Sequence, residues 1–273
     1  MLPLIAITAL SCDDGPVALE PAPQGSAIDS RILITPSEVL SPDARTLLLL
    51  CRTERIYPCV NYRIAYAVAR RGARIEVSFQ RIEIGSVCFT AIGPARCDID
   101  LGALAPGTYS LTFHVGTGDA TFDLLVDDDV YAATPAGGEG VQFSPSTLRR
   151  IPDGTVWGLI GMVGLIGGSY DALASAFLDS LAARGALSVT LEPGEYGEFT
   201  IDSVGAMHWP WIHGCHVAVP YVRHYEGPSD SLGAVVAYFG RTQSQWMSIT
   251  LRTWRGQLYR SWVTNTTGMG AIP

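Results

Sequence analysis

The stretch MHWPWIHGCHVAVPYVRHY, residues 207–225, gathers four of the chain's five histidines, two tryptophans and one cysteine. Imidazole nitrogen and thiolate sulfur are the ligands that zinc prefers. If residues 214–225 form a strand, His216 and His224 share a face but stand about 27 Å apart at roughly 3.4 Å per residue, too far to hold one ion. His213 and Cys215 lie two residues apart, with side chains on one face at about 7 Å. His208 reaches them if Pro210 folds the chain back. His208, His213 and Cys215 then supply three N/S ligands, the number found at a catalytic zinc with an open position. That set would suit a zinc-dependent hydrolase or a metal carrier. Against it, the chain has no HExxH or CxxC spacing, and Cys215 sits among apolar strand residues, where a buried thiol behaves as a small hydrophobe. The expectation is a domain that folds without a cofactor, with zinc as the alternative. Trp209, Trp211 and Tyr221 allow one more reading, a stacking platform for a carbohydrate ring, set against their commoner use in a core.

Other chemistries are narrowed by composition. No lysine occurs among the 18 basic residues, which excludes the Walker-type phosphate loop, the Schiff-base enzymes and pyridoxal-phosphate catalysis, each of which needs a lysine amine. A formal net charge of −8 argues against a nucleic-acid partner, because phosphate binding draws on a basic face. The Arg149–Arg150 pair reads as a solvated loop. Glycines 158, 161, 164, 167 and 168 do not make the dinucleotide fingerprint G-x-G-x-x-G, and read instead as sites of close helix approach over a strand. No G-x-S-x-G elbow is present. Glu192, Glu195 and Glu198 crowd one expected hairpin, where turn-flanking glutamates are ordinarily solvated.

The elements that must carry these residues fall into two groups. From residue 31 to 129, apolar residues alternate with polar ones: Val60, Tyr62, Ile64, Tyr66 and Val68; then Ile75, Val77 and Phe79; then Tyr109, Leu111, Phe113 and Val115; then Phe122, Leu124 and Val126. Period-2 segments punctuated by Gly and Pro predict an antiparallel β-sandwich, with His114 facing outward. Residues 130–150 combine acids, Gly and Pro and read as a linker. Over 151–273 the pattern changes. TVWGLIGMVGLI is a continuous apolar run, as in a strand covered on both faces. It is followed by a helix capped by Ser169 and ended by Gly185, with Tyr170, Leu173, Ala174, Phe177, Leu178 and Leu181 on one face. A hairpin turning at Pro193 and Gly194, the histidine-rich strand, and a helix from Ser229 to Gly240 come next. A final hairpin turns at Arg255 and Gly256. This β-α-β-β-α-β order predicts an α+β domain, ferredoxin-like in outline.

The chain opens MLPLIAITALSCDDGP, an uncharged apolar run from Leu2 to Leu10 that meets Ser11, Cys12 and two aspartates. The run is too short to span a bilayer and has the length of a signal-peptide core. ALSC resembles the cleavage motif of bacterial lipoproteins, though its leucine stands one position closer to the cysteine than usual and no basic residue precedes the run. The resemblance implies a signal peptide over residues 1–11, lipidation at Cys12 and a Pro-rich tether over 12–30. It also implies a membrane-anchored place in the cell envelope, on the periplasmic side or at the surface. The sandwich, through LAPGTYSLTF, resembles the immunoglobulin-like modules of bacterial surface lipoproteins. Cys51, Cys59, Cys88 and Cys97 are disulfide candidates in an oxidising compartment. Three connectivities are open, and proximity in sequence favours Cys51 with Cys59 and Cys88 with Cys97. The expected role is non-enzymatic: a lipid-anchored protein that binds a protein or carbohydrate ligand or serves in assembly.

Overall fold

In the computed structural model, residues 25–84, 87–89, 91–162, 169–210 and 217–262 are described. Alternation builds ten strands from the first half of the chain: β1 (Ile32–Leu40), β2 (Arg45–Tyr57), β3 (Arg63–Arg71), β4 (Arg74–Glu83), β5 (Gly93–Asp100), β6 (Gly107–Val115), β7 (Gly118–Val126), β8 (Val130–Gly138), β9 (Val141–Phe143) and β10 (Thr147–Arg149). They form one curled sheet in the order β10-β8-β7-β6-β4-β3-β5-β2-β1-β9. Its two halves are joined through a single pairing, Arg63 of β3 with Arg96 of β5. The fold is β-rich and fits the expected sandwich, with Ile34, Leu49, Val77, Ile99 and Phe113 fully buried in one core. Each such side chain contributes roughly 1.5–3 kcal/mol by leaving water. The sheet is mixed and not purely antiparallel, since β1 pairs with β9, and β4 with β6, in parallel.

Two expectations for this half are corrected. Residues 130–150 are not a linker: β8 extends the sheet from β7, β9 closes on β1 and β10 pairs with β8. The buried Tyr131, Ala133, Phe143 and Leu148 explain why; the Gly and Pro that suggested a linker occupy the connections and the outer end of β8. The proposed face of β3 also breaks. Tyr62 and Ile64 are buried, whereas Val60, Tyr66 and Val68 are exposed. A register shift between Ala65 and Tyr66 interrupts the alternation. Beyond it, side chains on both faces of β3 are exposed, and the strand has a neighbour along one edge only among the described residues.

The second half begins with β11 (Thr155–Met162), buried along nearly its whole length. Helix α1 (Tyr170–Ala182) follows, its first turn capped by Ser169 Oγ, which accepts from the Ala172 amide at 3.2 Å. Next come β12 (Leu187–Ser188), β13 (Gly194–Glu195), β14 (Thr200–Ile201), β15 (Met207–His208) and β16 (Val217–His224), then α2 (Ser229–Thr242), β17 (Met247–Thr253) and β18 (Leu258–Ser261). A five-stranded sheet runs β12-β16-β11-β17-β18, and β13-β14-β15 form a separate small sheet. Ala174, Phe177 and Leu181 of α1 and Leu232, Val235, Val236 and Phe239 of α2 pack with Val156, Ile160, Tyr221 and Ile249 of the sheet. Trp157 and Val222 pack instead with Tyr196, Phe199 and Ile201 of the small-sheet segment. The sheet is thus covered on both faces.

Local differences have local causes. The β13–β14 turn lies at Tyr196–Phe199, closed by the Tyr196 amide donating to Phe199 O at 2.9 Å; Gly197, with φ +83°, supplies its left-handed residue. Pro193 and Gly194 precede that turn. Ser229 is the first residue of α2 and makes no cap, the extended N-cap position being Pro228, and the helix passes through Gly240 to Thr242. Gly158 accommodates a side chain and not a helix. Tyr221 lies across it to donate to Thr250 O at 3.0 Å, and a Cβ at 158 would fall 2.7 Å from the Tyr221 oxygen and 1.8 Å from the Thr250 carbonyl oxygen.

Candidate functional site

The histidine-rich segment divides. His213, Cys215, His216 and Trp211 lie outside the described residues, and so do Cys12 and the leader. His208 is on β15, exposed, with its Nε2 2.8 Å from Asp202 Oδ2. Asp202 also accepts from the amides of Val204 and Ala206 at 3.0 and 2.8 Å. The bond to His208, followed by that to the Ala206 amide, holds the Asp202 carboxyl below its ordinary range. His208 is therefore already engaged in closing the 202–208 turn. Trp209 is half-buried against the core beside the small sheet. Tyr221 is no ligand platform: it is 3% exposed, meets Phe177 edge-on at 5.7 Å, and has its phenol pushed up by burial. His224 faces Glu226 at 3.2 Å, and His114 faces outward onto Asp119 at 2.6 Å. Among the described residues no three His, Cys, Asp or Glu side chains are placed to hold a metal.

Of the three glutamates, Glu198 accepts from Trp157 Nε1 at 3.2 Å. Its carboxylate also lies 2.8 Å from Arg252 Nε, at an angle that leaves the contact an ion pair and not a hydrogen bond. Glu192 and Glu195 are exposed.

Cysteine pairing departs from sequence proximity. Cys59 and Cys88, 29 residues apart, form a disulfide; it joins the turn after β2 to the loop after β4. Cys51 and Cys97 are free thiols directly opposite each other on β2 and β5. Antiparallel pairing explains both: β2 and β5 set Cys51 opposite Cys97, and the pairing of Arg63 with Glu83 at the open end of β3 and β4 brings the turn that carries Cys59 to the loop that carries Cys88. A hydrogen bond with Cys97, then burial, pushes the Cys51 thiol far above its ordinary range.

The densest charge chemistry lies where the two halves meet. Glu38 of β1 has a side chain only 1% exposed. Its Oε1 accepts from Arg150 Nε at 3.0 Å and Tyr131 Oη at 3.3 Å, and its Oε2 from the Ile151 amide at 3.0 Å. Arg45 stands 3.7 Å away, donates to Ile151 O and pairs with Asp153. The Arg150 guanidinium lies over the Tyr131 ring at 5.0 Å. Burial, then the Glu38 carboxylate, pushes the Tyr131 phenol up to about 12. Arg150, which reads from sequence as solvated, is thus locked. A cleft of about 500 Å³ opens beside the network, lined by Arg45, Arg150, Asp153, Trp254 and Arg255 among others. Of its charged walls, Arg45 pairs with Asp153, Arg150 pairs with the buried Glu38 behind it, and Arg255 lies over the Trp254 ring at 5.2 Å: the chemistry of these arginines is that of a clamp. Glu38 carried no sequence signal, being one acid in an alternating strand whose hydrogen-bond partners Tyr131, Arg150 and Ile151 lie 93, 112 and 113 residues away.

Comparison with protein-family models, with curated proteins and with solved structures finds no match for this chain.

Proposed function

We propose that this is a lipid-anchored cell-envelope protein with a binding or assembly role. In it an immunoglobulin-like sandwich is joined rigidly to an α+β domain of ferredoxin-like outline. The observation that carries the reading is the Cys59–Cys88 disulfide, a bond characteristic of an oxidising, extracytoplasmic compartment. The ALSC motif at Cys12 and the Pro-rich segment after it supply an anchor and a tether. The ferredoxin-like outline draws support from the strand order: β17, β11, β16 and β12 lie side by side in that order, with α1 between β11 and β12 and α2 between β16 and β17. The buried Glu38 network favours a display or assembly role, because it fixes the 150–153 segment that leads into the second domain against β1, β2 and β8. Labelled fatty acid should be incorporated into the wild-type protein and not into Cys12→Ser, which should leave the membrane fraction or keep its leader. A wild-type protein that takes up no label and stays in the cytoplasm refutes the anchor.

A further inference from the structure

One end of the first domain is apolar by construction. There the end of β2, the start of β3, the end of β4 and the start of β5 converge, and Val87, Phe89 and Ile92 stand 61%, 60% and 67% exposed beside the exposed Ile56 and Val60. These side chains are held out, not left loose. The disulfide pins Cys88 to Cys59. Asn61 clasps the same loop from both sides: its Nδ2 donates to Val87 O at 2.5 Å and its Oδ1 accepts from the Phe89 amide at 3.3 Å. No charged residue occurs from 84 to 94. A braced loop that keeps aromatic and branched side chains in water marks a surface that something covers.

The charge just behind the tip names the partner. Arg52 pairs with Arg96 across β2 and β5, and Arg96 with Arg63 across β5 and β3. Three exposed arginines therefore stand in a row on the outer face. Like charges directly opposite one another destabilise a sheet, and none of the three has an ion-pair partner among the described residues. Two neighbouring acids, Asp29 and Glu83, are taken by Arg55 and Arg81; of the acids beside the row, Glu54 and Asp98 are left without a salt bridge among the described residues, two against three arginines. On a chain of net charge −8, this end is locally positive. Arg96 lies four residues from Ile92, about 13 Å along the strand, and arginine stems reach toward an interface while keeping their heads at the phosphates. An interfacial protein surface sinks about 5–10 Å into the headgroup–acyl boundary, so an apolar tip backed by arginines matches an anionic bilayer.

The chain also enters the fold at this end. The Gly25 amide donates to Ile82 O at 3.1 Å and the Ile82 amide to Ser26 O at 2.9 Å, an antiparallel bridge beside the last residues of β4. Thirteen residue steps separate Cys12 from Gly25, no more than about 45 Å of chain.

We propose that this end of the sandwich docks on an anionic bilayer, with Val87, Phe89 and Ile92 at the acyl boundary and Arg52, Arg96 and Arg63 on the lipid phosphates. The inference rests on the anchored reading above, since the anchor holds the tip within reach. The test uses the full chain as purified from expressing cells, in vesicles of phosphatidylethanolamine with phosphatidylglycerol. A photo-cross-linking benzoylphenylalanine replaces either Phe89 or Arg71, the latter at the far end of the β3–β4 hairpin. Melting temperatures confirm that each variant folds. Lipid adducts should form at 89 and not at 71. Changing Arg52, Arg96 and Arg63 together to Gln should shift the docking equilibrium on the order of 100-fold toward release, at about tenfold or less per arginine. Vesicles of phosphatidylcholine alone should act like that triple variant. Fatty-acid-labelled protein that gives no lipid adduct at 89, equal yields at 89 and 71, or adducts to its own residues 1–24 or to another polypeptide overturns the docking while leaving the anchor intact. Lipid adducts at 89 on a protein that carries no fatty acid uphold the docking and overturn the anchor instead.

Discussion

Replacing Glu38 tests whether the two halves of the molecule are held by the buried charge network. Glu38→Gln keeps the shape of the side chain and removes its charge. One oxygen survives to accept from Arg150 and Tyr131; the new NH₂ group then confronts the Ile151 amide and Arg45, which are donors themselves. Loss of a charge-assisted hydrogen bond costs about 1.5–3 kcal/mol, and an unmet buried amide about 1–3 kcal/mol. Arg150 and Arg45 keep 14% and 21% exposure, so water recovers part of this. A net loss of about 3 kcal/mol follows, at the low end of the range for breaking a buried pair. At 2–4 °C per kcal/mol, Tm should fall by roughly 6–12 °C.

The assay can also resolve which half loosens. All six tryptophans, from Trp157 to Trp262, lie in the second half, so their fluorescence follows that half alone, while far-ultraviolet circular dichroism follows the whole β-rich chain. In urea the two probes should coincide for wild type and separate for Glu38→Ala, which removes every acceptor at once. A cycle of Glu38→Gln with Arg150→Met should give a coupling above about 1 kcal/mol, since the residues touch. A Glu38→Gln loss within about 0.5 kcal/mol of zero, or strict additivity with Arg150→Met, would refute the clamp.

Three further outcomes are expected. Mass mapping of unreduced protein should find Cys59 bridged to Cys88 and Cys51 and Cys97 as thiols, with Cys51 resisting alkylation until the chain unfolds; rapid alkylation of native Cys51 would contradict its burial. Gly256→Ala should destabilise by several kcal/mol and uncouple the two unfolding probes, because φ is +76° and the added Cβ would fall 2.0 Å from the Leu40 carbonyl oxygen across the junction; wild-type stability in this variant would show that the hairpin does not pack there. The Asp202 carboxyl should titrate below its ordinary 3.8 and return toward it in His208→Ala. A depressed carboxyl adds stability that is present above its unfolded pKa and is lost as pH falls through the folded one, so order in the 202–208 turn should decay only below the usual carboxylate range. An NMR titration showing the same Asp202 midpoint in both proteins would dismiss the pairing.

Legibility in the sequence followed the range of each interaction. Ile75, Val77 and Phe79, or Phe177 and Leu181, could be placed because one face of one element announces itself within a few residues. The face of β3 could not, because the register shift at Ala65 and the lack, among the described residues, of a second neighbour beyond Arg63 are properties of the sheet. The 130–150 segment misled because Gly and Pro mark connections as readily as linkers, while its strands are specified by pairing with β7 and β1. Cysteines and charges fared alike. Proximity in sequence joined Cys51 to Cys59, whereas the strands bring Cys59 to Cys88, and nothing local to Glu38 or Arg150 betrays their meeting.

That meeting bears on what the molecule is built for. A tethered domain that needed only to reach a ligand would be served by a flexible joint, for which few contacts across the boundary suffice. Here the boundary carries a carboxylate with almost no exposure, two arginines drawn from the start of β2 and from just after β10, and a turn glycine pressed against the facing β1–β2 turn. Such a network stabilises little compared with apolar packing of equal volume, but it punishes misplacement of either partner. The physical return is a fixed orientation. With the apolar, arginine-backed end of the sandwich at one place and the joint to the second domain fixed at another, docking at the membrane would also set the direction in which the second domain faces.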